Sequence, residues 1–303
     1  MIPEPTIQNK LKNNIVSLPY ISAYTFRYYA DHGWMSGGRN TKYIDQLPNG
    51  IDPSKVEEGD SIYVTTELLD DFFEEVDPKI NARYILISGL NDRGVNKHLS
   101  GKMSNKIIHW FSHNNASDHE RVSTIPMGFQ NLHWRIDDHP QSDVRNIQKV
   151  RNDRIEVDKD LLVSFRIQTN SKDRQPCFDY FSSLTDIVTL RMDFEEYRQD
   201  SEFVIDFFRT IRRHKFVVCP FGNAWDCHRN WETFALGGIP IIMKHNSMEA
   251  FYDMPAWFVE DWSEVTKESM ERKYKEMKSA WDTYNHDKVY FEYWKKLVFE
   301  SYK

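Results

Sequence analysis

The sequence predicts an α/β fold in two halves, each assembled from parallel β–α–β units. Three observations carry that expectation. The chain has 303 residues, beyond the size that one hydrophobic core usually serves. Short β-rich runs alternate with helical periodicity in both halves. Between the halves lies a polar stretch, residues 139–160 (HPQSDVRNIQKVRNDRIEVDKD), which reads as a solvated helix and linker. The expected organisation is therefore an N-terminal Rossmann-like domain over 1–150, a second over 151–283, and a terminal helix over 284–303.

In the first half, SIYVTT (61–66), YILISG (84–89), IIHWF (107–111) and VSTIPMG (122–128) read as strands. Between the first two, Leu68, Leu69, Phe72, Phe73 and Val76 recur at helical spacing. The second half repeats the alternation. LLVSF (161–165) and DIVTL (186–190) are strands, SEFVIDFFRTIRRH (201–214) a helix, and KFVVC (215–219) a strand. A helix over 226–236 and the strand IPIIM (239–243) follow. Near the end, Trp281, Tyr284, Phe291, Trp294 and Val298 sit at helical spacing, as in a helix docked by its aromatic face.

Composition excludes several classes. Aromatic residues make up 14% of the chain, with only 12 Gly and 12 Pro, which fits a folded core and neither a fibrous nor a disordered chain. A net charge of −7, from 39 basic and 46 acidic residues, argues against engaging nucleic acid through a global field. Three cysteines (Cys177, Cys219, Cys227) cannot make a disulfide framework and suit a reducing compartment. No apolar run is long enough for a membrane span, and the opening MIPEPTIQNKLKNN lacks a signal-peptide core. The expected protein is soluble and cytoplasmic.

The stretch CPFGNAWDCHRNWETFALGGIPII, residues 219–242, concentrates the chemistry. A strand ends at Cys219, the loop holds Asn223, Asp226 is placed to cap a helix, and Gly237-Gly238 ends it. Such a helix tip lies beyond the carboxyl ends of the strands, where α/β sheets bind ligands. Its unpaired N–H groups and partial positive charge invite an anion, and His228 and Arg229 add donors suited to phosphate oxygens. One turn on, Glu232 could accept hydrogen bonds from a ribose diol. The alternative is a plain surface ion pair between Arg229 and Glu232, at i,i+3 spacing. Trp231, Phe234 and Ala235 fall on the core face. On the nucleotide reading, Glu232→Ala is expected to abolish nucleotide binding with little effect on stability.

CHRNWETFALGGIPIIM, followed by SMEAFYDMPAWFVEDWSEVT, resembles the carboxyl-half signature of exostosin-like (family 47-type) glycosyltransferases. His228, Arg229, Trp231, Glu232, Gly237, Ile239, Pro240, Val259, Asp261 and Trp262 carry that resemblance. The segments Leu86 to Gly89 with Asp92, Trp110-Phe111 with Asn114, and Ile125 to Gly128 are similar to segments in sugar transferases of large DNA viruses and bacteria. The resemblance spans roughly 60–270. It implies a GT-B architecture: two facing Rossmann-like domains, the nucleotide-sugar donor on the C-terminal one, the acceptor on the other, and a final helix crossing back. It further implies that Glu232 holds the donor ribose and Arg229 lies near the diphosphate. If the chain is virus-encoded, its compartment is the host cytoplasm.

A second anion contact is then expected from VSFRIQTNSKDR (163–174), with Ser164 and Arg166 ending a strand and Lys172 and Arg174 in the following loop. No strand-end Asp-x-Asp appears, so helix dipole and basic side chains are expected to hold the leaving diphosphate without a metal or other cofactor. For a base that deprotonates the acceptor hydroxyl, Asp92 is the first candidate, and Asp31 and His32 are the second. Asn114 could bond the acceptor, and Trp34, Trp110 and Trp134 could stack on sugar rings or serve the core. The expected reaction is inverting transfer from a UDP-sugar, xylose by preference, to a hydroxyl of an oligosaccharide or glycoprotein glycan. Two alternatives stand beside it: a GT-B-like glycan-binding module without catalysis, and a zinc or thiol site from Cys219, Cys227, His228 and His214.

Overall fold

The protein is described here from a computed structural model over residues 19–36, 49–130, 144–192 and 201–302. The described residues fall into two units. One comprises those up to 130 together with those from Tyr290 onward, and the other runs from 144 to Val289.

The first unit holds a parallel sheet of β1 (His32–Trp34), β2 (Ser61–Thr65), β3 (Tyr84–Gly89), β4 (Ile107–Ser112) and β5 (Val122–Thr124), ordered as in the chain. When strands follow chain order, right-handed crossovers all land on one face. Here that face carries Ile62, Val64, Leu86 and Trp110. It packs against Leu69 of α2 (Leu69–Asp71), Phe72 and Phe73 of the turn that follows, and Leu99 of α3 (Lys97–Ser100).

The opposite face needs other cover, which comes from the two ends of the described chain. In α1 (Ala23–Tyr29), Phe26 and Tyr29 lie 6.0 and 4.5 Å from the ring of Phe291, which opens α9 (Phe291–Lys295). Beyond α9, Tyr302 stacks on His109 of β4 at 5.2 Å. Phe291, Trp294 and Val298 are buried there.

The continuous terminal helix expected from spacing is replaced by separate pieces. Short 3-10 turns occupy Trp281–Thr283 and His286–Val289. Trp281 and Tyr284 pack on the second unit's core, whereas residues from Tyr290 onward join the first unit. An unbroken helix could not divide its aromatic side chains in this way.

The second unit opens with α4 (Val144–Asn152), inside the stretch expected to be a solvated linker. Ile147 and Val150 are instead buried, because α4 packs against α6 (Ser201–Arg213). The sheet contains β6 (Lys159–Val163), β7 (Val188–Leu190), β8 (His214–Val218), β9 (Ile239–Met243) and β10 (Trp257–Val259). All strands are parallel, in the order β10-β9-β8-β6-β7.

After β6 the chain adds β7 through α5 (Ser171–Ser182). It then returns through α6 to lay β8 on the other side of β6, and continues through α7 (His228–Ala235) to β9. This reversal makes the carboxyl ends of β6 and β8 the topological switch point, where open α/β sheets bind ligands. Leu161, Val163, Phe216 and Val218 share one core with Cys177 and Phe181 of α5 and with Met270 and Met277 of α8 (Lys267–Ser279). Two Rossmann-like α/β units, with the last helix of the chain in the first, constitute a GT-B class of fold.

Candidate functional site

At the switch point two loops meet, and one buried arginine fastens them. Arg174 donates from Nε to the Phe221 carbonyl (2.9 Å), from Nη1 to that of Arg166 (2.8 Å) and from Nη2 to that of Pro220 (3.2 Å). Asn170 adds a bond from Nδ2 to the Gly222 carbonyl at 3.0 Å. The turn after β6 and the loop from β8 to α7 are thereby held as one piece.

This corrects two expectations. Arg174 and Lys172 lie in the first turn of α5 and not in a loop, and Arg174 supports the loop backbones while Lys172 is exposed. Burial pulls the pKa of Arg174 down, the expected effect on a cation moved away from water.

The helix α7 begins at His228, with Cys227 as its extended N-cap residue and no side-chain capping bond. Asp226 is not the cap. It is 1% exposed, and its Oδ1 accepts from Trp231 Nε1 at 2.8 Å and Asn230 Nδ2 at 3.2 Å. Two donors further along the helix outbid the cap position and pin the loop to the helix core. At the other end the glycine stop is as expected. Gly237, at φ 79°, donates to the Phe234 carbonyl and Gly238 to that of Thr233, a Schellman motif.

Arg229 and Glu232 do pair, with Nη1 to Oε2 at 2.8 Å, but not on the surface: their side chains are 14% and 2% exposed. The Arg229 guanidinium also lies 4.2 Å from the centre of the Phe207 ring on α6. A cation over an aromatic face and beside a carboxylate, screened from water, is held far more firmly than a surface pair. Glu232 is therefore part of the fold as well as a candidate ribose contact, and the expectation that its removal would leave stability unchanged is withdrawn.

Across from α7, Ser164 follows the last residue of β6. It is fully buried, and its Oγ has no hydrogen-bond partner among the described residues. Alternation along β6 turns Ser164 away from the core of Leu161, Val163 and Phe165. It therefore lies on the same sheet face as Cys219, whose Sγ is 3.9 Å from Thr233 Oγ1 of α7. Arg166, partly exposed, lies two residues beyond Ser164, at the start of the turn that follows β6. Asn223 is exposed in the loop and His228 is half-buried at the helix tip.

One residue at this edge was not anticipated. Arg191, just after β7, donates to Asp206 Oδ2 at 2.8 Å and Thr210 Oγ1 at 2.6 Å, and sits 5.3 Å from the centre of the Phe207 ring. Arg191 follows the strand DIVTL at the same sheet edge at which Arg166 follows LLVSF, so its position was legible in the sequence.

The thiol and zinc alternatives lose their geometry. Burial pushes the Cys227 thiol up to about 11 and that of Cys219 up as well, so neither is a thiolate at neutral pH. His214 opens β8 whereas Cys219 follows its far end, about 16 Å along an extended chain. Among the described residues no group of three or more His, Cys, Asp or Glu is placed to hold a metal.

In the first unit, Asp31 and His32 are at the wrong edge for a base. They lie where β1 begins. Asp31 Oδ2 accepts from the Ser61 N–H (2.9 Å) and Oγ (2.7 Å), and His32 Nε2 lies 2.8 Å from Asp60 Oδ2, so both fasten the amino ends of β1 and β2. The segment YYADHGW therefore runs from the end of α1 into the three-residue β1, too short to show alternation, and does not follow a strand.

Asp92 lies past the carboxyl end of β3 and is exposed. Glu67, beyond β2, shares that edge and is bonded by Ser36 Oγ and Asn91 Nδ2. Asn114, after β4, is buried at φ 51°. Trp110 is a core residue that donates to Ser88 Oγ at 2.9 Å, Trp34 packs half-buried on the same core, and Trp134 lies outside the described residues.

No family model and no curated protein matches the chain. Among solved structures it is similar to the spinosyn rhamnosyltransferase SpnG complexed with thymidine diphosphate, at 9% identity and TM-score 0.36, over 73% of this chain and 64% of that one. Thus the chain spans a little under two thirds of that structure's length. It is similar also to the pneumococcal O-GlcNAc transferase GtfA in complex with UDP and GlcNAc, at 10% identity and TM-score 0.33, over 81% and 57%. A third is the UDP-GlcNAc 2-epimerase from Methanocaldococcus jannaschii, at 11% identity and TM-score 0.32, over 71% and 69%. Likeness this distant assigns no activity. Among the described residues no helix is long and apolar enough to cross a membrane.

Proposed function

We propose that the protein is a glycosyltransferase that takes its donor sugar from a nucleoside diphosphate, bound at the carboxyl edge of the second unit. One observation carries the reading. The buried hydroxyl of Ser164, without a partner among the described residues, faces the side of the sheet on which α7 presents Arg229, at the point where β6 and β8 part. A buried hydroxyl left unbonded is unfavourable unless a ligand completes it, and a helix tip favours an anion. The exostosin-like signature around Arg229 and Glu232 supports the same assignment.

On this reading the diphosphate lies against Ser164, Arg229 and Arg166, with His228 and Asn223 at the rim and Glu232 directed to the ribose. In transfer, an acceptor hydroxyl oxygen bonds to the anomeric carbon as the bond to the diphosphate breaks. Arg229 and Arg166 meet the charge that develops on the leaving oxygen, so that the chain's own cations serve where other transferases use a metal. Asp92 is the proposed base for the acceptor proton. The donor is proposed to be a UDP-sugar, with xylose preferred, the stereochemical outcome inverting, and the acceptor a hydroxyl of an oligosaccharide or glycoprotein glycan.

Thermal denaturation with UDP, GDP, dTDP and their sugars tests the reading. A ligand at a hundred times its Kd adds about 2.7 kcal/mol of stability. A shift with one nucleoside diphosphate and none with the matching nucleoside is expected, and no shift with any of them contradicts the proposal. Slow release of nucleotide from the donor without acceptor is expected of a transferase and not of a glycan-binding module.

A further inference from the structure

Three rings form a column at the carboxyl ends of β8 and β9. Trp225, in the loop before α7, lies 4.1 Å from Phe221 at an interplanar angle of 30° and 3.8 Å from His245 at 7°. Two rings at such short centroid distances cannot share one face of the indole, so Trp225 is the middle of the stack. Its outer members are Phe221 and His245, both half-buried. The carbonyl of Phe221 is held by Arg174, the residue that fixes the diphosphate loops. His245 follows β9, and its Nδ1 accepts from the Ser247 N–H at 3.1 Å. That bond makes Nδ1 an acceptor, so the ring proton sits on Nε2 and the ring plane is fixed. Among the described residues Nε2 makes no hydrogen bond.

We propose that the outer face of His245 is the platform for the nucleobase of the donor, with Trp225 and Phe221 stiffening the imidazole from behind. The inference rests on the diphosphate reading above and extends it by naming what reads the base. Neighbouring strands are about 4.8 Å apart, so the end of β9 lies about 7 Å along the sheet edge from the midpoint between β6 and β8. A base joined through ribose to a diphosphate at that midpoint reaches this position. Planar bases stack on aromatic rings whatever their sequence, and the Nε2–H is placed to donate to a carbonyl on the edge of the base. Burial holds the pKa of His245 below its ordinary value, which keeps the imidazole neutral.

Calorimetric titration with inorganic pyrophosphate and with UDP, GDP and dTDP separates the two claims. Wild type is expected to bind at least one nucleoside diphosphate more tightly than pyrophosphate. In His245→Ala that advantage is expected to shrink by roughly ten- to a hundredfold while pyrophosphate affinity is unchanged. His245→Phe, which keeps a ring, is expected to restore most of it. An unchanged advantage in His245→Ala overturns the platform and leaves the diphosphate site standing. So does an equal loss of pyrophosphate and nucleotide binding, which marks a merely structural histidine. Wild type that binds neither pyrophosphate nor any nucleotide overturns both.

Discussion

Two polar side chains at the switch point differ in what their burial demands. Ser164 carries an unbonded hydroxyl, so Ser164→Ala is expected to leave stability unchanged or raise it by up to about 1 kcal/mol, while nucleotide and pyrophosphate binding weaken. Urea denaturation beside calorimetry checks both signs, and a destabilised variant would mean that the hydroxyl has a partner within the fold. Glu232 is the opposite case. Removing it strands the Arg229 charge over Phe207, so Glu232→Ala is expected to lower stability by about 3 kcal/mol. In a double-mutant cycle the loss with Arg229→Met added is expected to be less than the sum of the single losses.

The i,i+3 spacing of Arg229 and Glu232 was legible in the sequence. Their burial was not, because it depends on Phe207 arriving from another helix. Arg174 was misplaced for the same reason: a charge is visible in the sequence, but two of the three carbonyls that it binds, those of Pro220 and Phe221, come from a loop distant in the chain.

At the scale of elements, the strands YILISG and IPIIM occur with the bounds that composition and flanking residues suggest, since β-branched runs buried on both faces need no partner to be recognised. The glycine stop of α7 was equally legible, because Gly237 stands at φ 79°, where only a residue tolerant of positive φ is unstrained. Nothing lies near the position of an added Cβ at Gly237, so Gly237→Ala is expected to cost about 1 kcal/mol through backbone strain alone, without loss of nucleotide binding. Thermal denaturation beside pyrophosphate titration reads the two effects. The start of α7 was read less well, because Asp226 prefers the Trp231 indole N–H to the cap. Short β1 and the broken terminal segment carry too few residues for any period to show.

For the whole molecule, the two-unit α/β organisation could be read from alternation alone. The return of the chain's last helix to the first unit could not be read that way and was expected only from the family resemblance, since it answers a face that chain-ordered strands leave uncovered. His109 on that face stacks on Tyr302, and burial, with the nearby positive charges of Arg121 and His119, lowers its pKa to about 4. A folded-state pKa below the unfolded value of about 6.5 means that unfolding takes up a proton as the pH falls. The stabilising contribution is thus full above pH 6.5 and is lost as the pH falls toward 4. Denaturation midpoints measured across that window are expected to fall more steeply for wild type than for His109→Gln, and identical slopes would contradict the assignment.

On the proposed reading a nucleoside diphosphate sits at the carboxyl ends of β6 and β8. A crystal structure with UDP bound would show it. Diphosphate oxygens are expected within hydrogen-bonding distance of Ser164 Oγ and the Arg229 guanidinium. Density for the nucleotide elsewhere, with Ser164 still enclosed by protein, would contradict it.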